Sequence, residues 1–334
     1  MGVFKHIQDD FFEKIKDKLE PNLSLVHEIS EALQISYDSS YRRLRGEKQI
    51  SLEEAIILSK QFDISLDALC QIDKDYVTFK CYHVEPGKFC GSTWLDMILS
   101  NLNHYNNSNL QELVYAAKDP PIFNYFQFPE IAAFKFFFWE KTLFKASDLE
   151  EKKFDIHNLN PEIVDKCKKI AAISLKIPTT EIWNEDTFKI LIRQVEHYWV
   201  SGYFSSPEDL KLLFEKIEQW LNHNQKEAEY GMRFLSGHPP KGIEGSYKLY
   251  ENEIVLNDNS IVIKEKDRKI AFLTYNVLGL LASTNKIFCD EITELHQAIM
   301  SKSNLISQVG EKERNRFFNK LHEAINKFKT SYSI

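Results

Sequence analysis

At 334 residues the chain is long enough for two or three domains. A formal net charge of -7 excludes a protein that coats nucleic acid through its overall charge, so any attraction to phosphate has to be local. Hydrophobic residues at 43% and aromatics at 13% supply sizeable cores, and 11 Gly with 10 Pro are too few for a disordered chain or an all-β fold of many tight turns.

From the N-terminus, MGVFKHIQDDFF holds no apolar signal-peptide core, and no run reaches the roughly 20 apolar residues of a membrane span. Residues 9–70 read as five short helices. Phe11, Phe12, Ile15 and Leu19 recur at helical spacing and stop before Pro21-Asn22. Val26, Ile29, Ala32 and Leu33 mark a second helix, and Gln34-Ile35-Ser36 leaves room only for a turn. A third helix carries Tyr37, Tyr41 and Leu44 and is closed by Gly46, which the spacing predicts in the left-handed conformation of a C-terminal cap. Ser51 with Glu54 forms a capping box for a fourth, with Ile50 and Ala55 as its staple, and a fifth starts near Ser65.

From Tyr76 the pattern changes. Val77, Phe79 and Cys81 alternate with polar residues as a half-buried strand, 93–103 reads as a helix, and LVYAA, ending at Ala117, as a strand. Helices are expected from Pro129 to Phe144 and over 161–175, 186–200 and 207–230, with Asn160-Pro161 and Ser206-Pro207 each an N-cap followed by Pro at the first helical position. Turn formers at Asn257-Asp258-Asn259 and Lys266-Asp267-Arg268 divide 246–275 into an antiparallel meander of three or four strands, and helices return at 290–300 and 311–328. The predicted class is therefore α+β, mostly helical, with a five-helix domain over 1–72 and a larger mixed domain over 74–334.

The segment EISEALQISYDSSYRRLRGEKQISLEEAIILSKQFDISLDAL resembles the Cro/C1-type helix-turn-helix family of bacterial transcription regulators, over roughly 60 residues of the N-terminal domain. Many members of that family have Ala where Ser30 stands and Gly where Gln34 stands. The resemblance implies a scaffold helix, a turn and a recognition helix over 36–46 that enters the major groove of double-stranded DNA, in a homodimer. The residues it assigns to DNA are Ser36, Tyr37, Ser39, Ser40, Arg42, Arg43, Arg45 and Lys48. A helical wheel supports the same division, with Tyr37, Tyr41 and Leu44 on the scaffold side and Ser39, Arg42 and Arg43 on the groove side. The basic footprint is narrow. Residues 41–48 hold four basic side chains against Glu47 alone, but 1–72 hold nine Lys and Arg against thirteen Asp and Glu, so non-specific binding should be weak.

Beyond the helix-turn-helix, few patterns carry chemistry. Cys81, His83 and Cys90 are metal-ligand types without a fourth partner, and GKFCGST holds the letters of a phosphate loop in the wrong order. Neither G-x-S-x-G nor H-E-x-x-H occurs, so no enzyme, cofactor or metal is expected. In YAAKDPPIFNYFQFPE, Lys118-Asp119 before two prolines reads either as a turn over an aromatic core or as the rigid polar edge of a pocket lined by Phe123, Tyr125 and Phe126, which would take a small-molecule effector. The succession Phe136, Phe137, Phe138 and Trp139 cannot be covered by one core face, so a second buried surface is expected, within the domain or between two copies. Five scattered cysteines fit reduced thiols in a cytoplasmic protein with no membrane partner. The alternative is an enzyme or a protein-interaction module in 74–334, addressed by the helix-turn-helix.

Overall fold

The computed structural model describes residues 2–20, 22–70, 76–83, 89–107, 110–146, 149–253, 258–266 and 268–333. The turns expected to include Asn257 and Asp267 lie partly outside these. The chain divides into two compact units, Met1–Thr78 and Phe79–Ile334.

The smaller unit contains α1 (Gly2–Lys18), α2 (Leu25–Leu33), α3 (Tyr37–Leu44), α4 (Leu52–Gln61) and α5 (Leu66–Cys70). Phe11, Phe12 and Ile15 of α1 meet Ile29 of α2 and Ala55 and Leu58 of α4 in its core. Local capping chemistry sets the boundaries. Ser36 accepts a hydrogen bond from the Ser39 N–H at the start of α3, and Ser51 and Glu54 close a reciprocal capping box at the start of α4. Gly46 takes φ +69°, the left-handed value expected for the residue that stops α3. Gln34, which ends α2, takes φ 53°, so a residue with a Cβ occupies a position that favours Gly.

The wheel of α3 needs correction. Tyr37 and Tyr41 are 54% and 51% exposed, whereas Ser40 and Arg43 are buried at 0% and 2%. The inward stripe runs through Ser40, Arg43 and the half-buried Leu44, which are three and four residues apart. Glu54 of α4 supplies the counter-charge that allows a guanidinium inside.

The larger unit is built on an eight-stranded sheet, in order β1-β7-β6-β5-β2-β3-β4-β8. Its middle is parallel: β2 (Leu110–Ala117), β3 (Thr179–Trp183) and β4 (Tyr247–Glu251) run the same way. The crossover from β2 to β3 carries α7 (Ile122–Tyr125), α8 (Pro129–Phe138), a π-helical turn (Trp139–Leu143) and α9 (Pro161–Ser174), and that from β3 to β4 carries α10 (Glu185–Val200) and α11 (Pro207–Tyr230). An antiparallel meander, β5 (Ser260–Glu265), β6 (Lys269–Thr274) and β7 (Leu280–Ser283), joins the edge of β2 and is extended by β1 (Lys80–Tyr82). The other elements are α6 (Gly91–Asn107), α12 (Lys286–Ser301), β8 (Asn304–Leu305) and α13 (Glu311–Tyr332).

This is the α+β class expected, with two differences. Tyr247–Glu251, read as part of the meander, instead pairs in parallel with β3. Strand β3 has no forewarning in TTEIW, because all five residues are buried and the run does not alternate. The Asn160 and Ser206 caps, each followed by Pro, begin α9 and α11 as expected. The FFFW succession is absorbed within the unit. Phe136 and Trp139 lie at 5.9 and 6.0 Å from Trp94, and Phe137 and Phe138 lie at 6.0 and 5.2 Å from Tyr198. Successive residues of a helix sit about 100° apart, so the four rings face different neighbours.

Candidate functional site

The eight residues assigned to DNA, on α3 and flanking it, differ in exposure. Ser40 and Arg43 belong to the interior. Arg43 Nε donates to Glu54 Oε2 at 3.0 Å, a second guanidinium nitrogen pairs with Glu54 Oε1, and Nη1 donates to the Ser39 carbonyl at 3.0 Å. The same hydrogen bonds hold the Glu54 carboxyl below its ordinary pKa. Arg43 therefore anchors α3 to α4 and is not free to meet a base or a phosphate. Ser36, Tyr37, Arg42, Arg45 and Lys48 are exposed, and Ser39 is half-buried. The Tyr37 hydroxyl meets His27 Nδ1 at 2.8 Å, and the two rings stack. Glu47 lies 3.0 Å from Arg45 and 3.9 Å from Arg42, so one carboxylate is shared between two exposed bases.

Sequence reasoning missed Gln8. From α1 its Nε2 donates to the Arg43 and Lys48 carbonyls at 2.8 and 3.0 Å, and its Oε1 accepts from the Ile50 N–H at 3.0 Å. These three bonds fix the segment after α3, which carries Arg45 and Lys48. A polar residue three before the core pair Phe11-Phe12 was the only hint.

In the larger unit a cavity of about 150 Å³ lies on one face of the sheet. Its walls are Leu113 and Tyr115 of β2, Ile261 and Ile263 of β5, and Trp94 and Ile98 of α6. One end is polar, with Asp119, Asn259 and Thr274. Of the three aromatics expected to line a pocket after Lys118-Asp119, only Phe123 lines the cavity, whereas Tyr125 and Phe126 are buried in the aromatic core. Asp119 accepts from the Tyr125 hydroxyl at 3.1 Å and from Lys135 Nζ at 3.0 Å. Lys135, 1% exposed, also donates to Gln194 Oε1 at 2.9 Å and lies over the rings of Tyr125 and Trp139. The signal for this pair was a lone Lys within the apolar run 131–139.

Tyr115 and Tyr125 are both buried residues. Burial, reinforced by Asp119, pushes both hydroxyls above their ordinary pKa, so they act as neutral hydrogen-bonding groups. Beside the cavity, Arg233 is buried between Glu181 and Glu227, at 3.0 and 3.3 Å. Burial raises the Glu181 carboxyl despite Arg233. At Glu227, burial is outweighed by Arg233 and His223, which hold that carboxyl low. The result is a charge cluster locked by its own partners, which include Asn124 and Tyr247.

Cys81 Sγ lies 3.6 Å from His83 Nδ1, and no group of three or more metal-ligand side chains forms among the described residues. Among the same residues no helix is long and apolar enough to cross a membrane. No family model matches the chain, and no curated protein or solved structure matches it either.

Proposed function

We propose that the chain is a sequence-specific DNA-binding transcription regulator, acting in the cytoplasm as a homodimer, that reads the major groove with α3. The observation that carries this reading is the exposed face after the α2–α3 turn. An N-capped helix presents Tyr37, Tyr41 and Arg42, and a segment pinned by Gln8 follows with Arg45 and Lys48. Arg42 has the geometry type that reads guanine by two hydrogen bonds, while Arg45 and Lys48 suit phosphates. Glu47 offsets part of the basic charge of the free surface, and on DNA the phosphates would replace it as partner of Arg45. The dimer rests on the narrowness of this footprint, since two linked weak readers gain affinity from effective concentration.

The test is selection of bound DNA from a random library with the full-length protein, with its mass measured in solution. A palindrome with half-sites one or more helical turns apart, bound by a dimer, is the expected result. Arg42→Ala should weaken the selected site by about 1–3 kcal/mol and relax preference at one base pair. Failure to retain any DNA at low salt would end this reading.

A further inference from the structure

We propose that the cavity of the larger unit binds a small uncharged aromatic molecule carrying a single hydrogen-bond donor, of the phenol or indole class. The donor is held at the polar end by Asp119, with the Tyr115 hydroxyl as its second partner. This concerns the larger unit alone and stands whether or not α3 binds DNA.

Size comes first. At about 150 Å³ the cavity has the volume that accommodates one benzene-sized ring. Its walls favour a flat ring, because Tyr82, Trp94, Phe123, Trp139 and Phe272 surround the space and offer edge and face contacts.

The polar end then selects the substituent. Tyr115 is 6% exposed and lines the cavity, and its hydroxyl makes no hydrogen bond to another described residue. A hydroxyl on the wall of a cavity can pair with a group placed there, as donor or as acceptor. Asp119 uses one lone pair on each oxygen, for Tyr125 and for Lys135, and each oxygen keeps another. A carboxylate asks for a donor, and a neutral hydroxyl can donate to the oxygen of a ligand that donates to Asp119. Charge is disfavoured in either sense. The Asp119 charge is already offset by Lys135 at 3.0 Å, so an ammonium would gain little attraction, and a carboxylate would meet Asp119 itself. A ligand without a polar group would make no use of the Tyr115 hydroxyl or of the remaining lone pairs of Asp119.

The experiment is isothermal titration calorimetry of the full-length protein with p-cresol, toluene, p-toluate and benzylamine. The expected result is saturable binding of p-cresol at one per chain, with toluene at least about tenfold weaker for want of the donor and with both ions weaker still. Tyr115→Phe, which keeps the ring, should bring p-cresol down by about tenfold and leave toluene unchanged. Leu280→Phe, which places a ring in the wall, should weaken both. Tryptophan fluorescence verifies that each variant is folded, and Leu280→Phe gives a second reading should Tyr115→Phe fail to fold. No saturable p-cresol binding by the folded wild type would overturn the proposal. So would toluene or either ion binding as tightly as p-cresol, or unchanged p-cresol binding in both folded variants.

Discussion

Arg43 in the smaller unit and Lys135 in the larger are the same solution applied to opposite ends. Each is a cation sunk to 2% or less exposure on a helix, and each faces a carboxylate that keeps about a quarter of its surface in water, Glu54 at 22% and Asp119 at 24%. In the smaller unit the buried pair fixes the back of α3, so that its outer face, with Tyr37, Tyr41 and Arg42, is held toward solvent. In the larger unit the pair orients a carboxylate on the wall of the cavity. A small helical unit has too little core to enclose a cavity. The larger unit, with a sheet and helices packed on it, has depth enough to enclose one.

The comparison can be broken most directly at Lys135. Lys135→Met removes the cation while roughly keeping its volume, and leaves Asp119 with Tyr125 alone. The expected loss is about 3 kcal/mol, the low end for breaking a buried pair, because Asp119 is partly hydrated. All five tryptophans, at 94, 139, 183, 199 and 220, lie in the larger unit, so their fluorescence reports its unfolding without the smaller one. The midpoint of that signal should fall in denaturant. Met tolerated with no change would mean that the pair is dispensable.

The next effect is acid sensitivity confined to the larger unit. His296 of α12 is 1% exposed and meets the Ser260 hydroxyl at 2.7 Å, and its Nδ1 has no partner. Burial, with Lys264 nearby, lowers its pKa from an ordinary 6.5 to about 4. Between these values the unfolded chain holds a proton that the folded chain refuses. Stability present above pH 6.5 is therefore lost as pH falls toward 4, by about 2 kcal/mol between pH 7 and pH 5. His296→Gln should flatten this slope in the tryptophan signal. An equal slope in wild type and variant would remove His296 as its source.

How much of this was legible in the sequence follows the same division. In the smaller unit the helix ends were readable because the caps are local: Ser36, Gly46, and Ser51 with Glu54 each act within three residues. The phase of α3 was not, because Arg43 is drawn inward by Glu54, eleven positions along the chain. In the larger unit the helices were readable from period and caps. Strand β3 and the parallel placement of β4 were not, because both depend on partners brought together by crossovers. The cavity was half visible in Lys118-Asp119-Pro120-Pro121. Its other walls come from α6, which precedes that segment, and from strands β5 to β7, which follow it by more than a hundred residues.

Gly46→Val tests the local side of that division. At φ +69° a β-branched residue is strained, and the expected loss is about 1.5 kcal/mol. Far-UV circular dichroism should register early loss of helix while the tryptophan midpoint stays at the wild-type value. A tryptophan midpoint that falls in parallel would mean that the two units do not unfold separately.

The smallest expected effect has the opposite sign. Gln34 ends α2 at φ 53° and ψ 47°, and its N–H reaches the carbonyls of Glu31 and Ser30. The left-handed conformation costs a residue with a Cβ about 1–2 kcal/mol, and glycine avoids that cost. Glycine also makes the unfolded chain more mobile, which takes back about 0.4–1 kcal/mol. The balance for Gln34→Gly is a gain of about 0.5 kcal/mol, since Gln34 is exposed and no packing is lost with its side chain. Hydrogen exchange of the α2 and α3 amides should slow by roughly twofold, again with no change in tryptophan fluorescence. Faster exchange would show that the Gln34 side chain contributes more to the turn than its backbone strain removes. The α2–α3 turn would then owe its geometry to that side chain, and the rigidity of the face that presents Arg42 would depend on it.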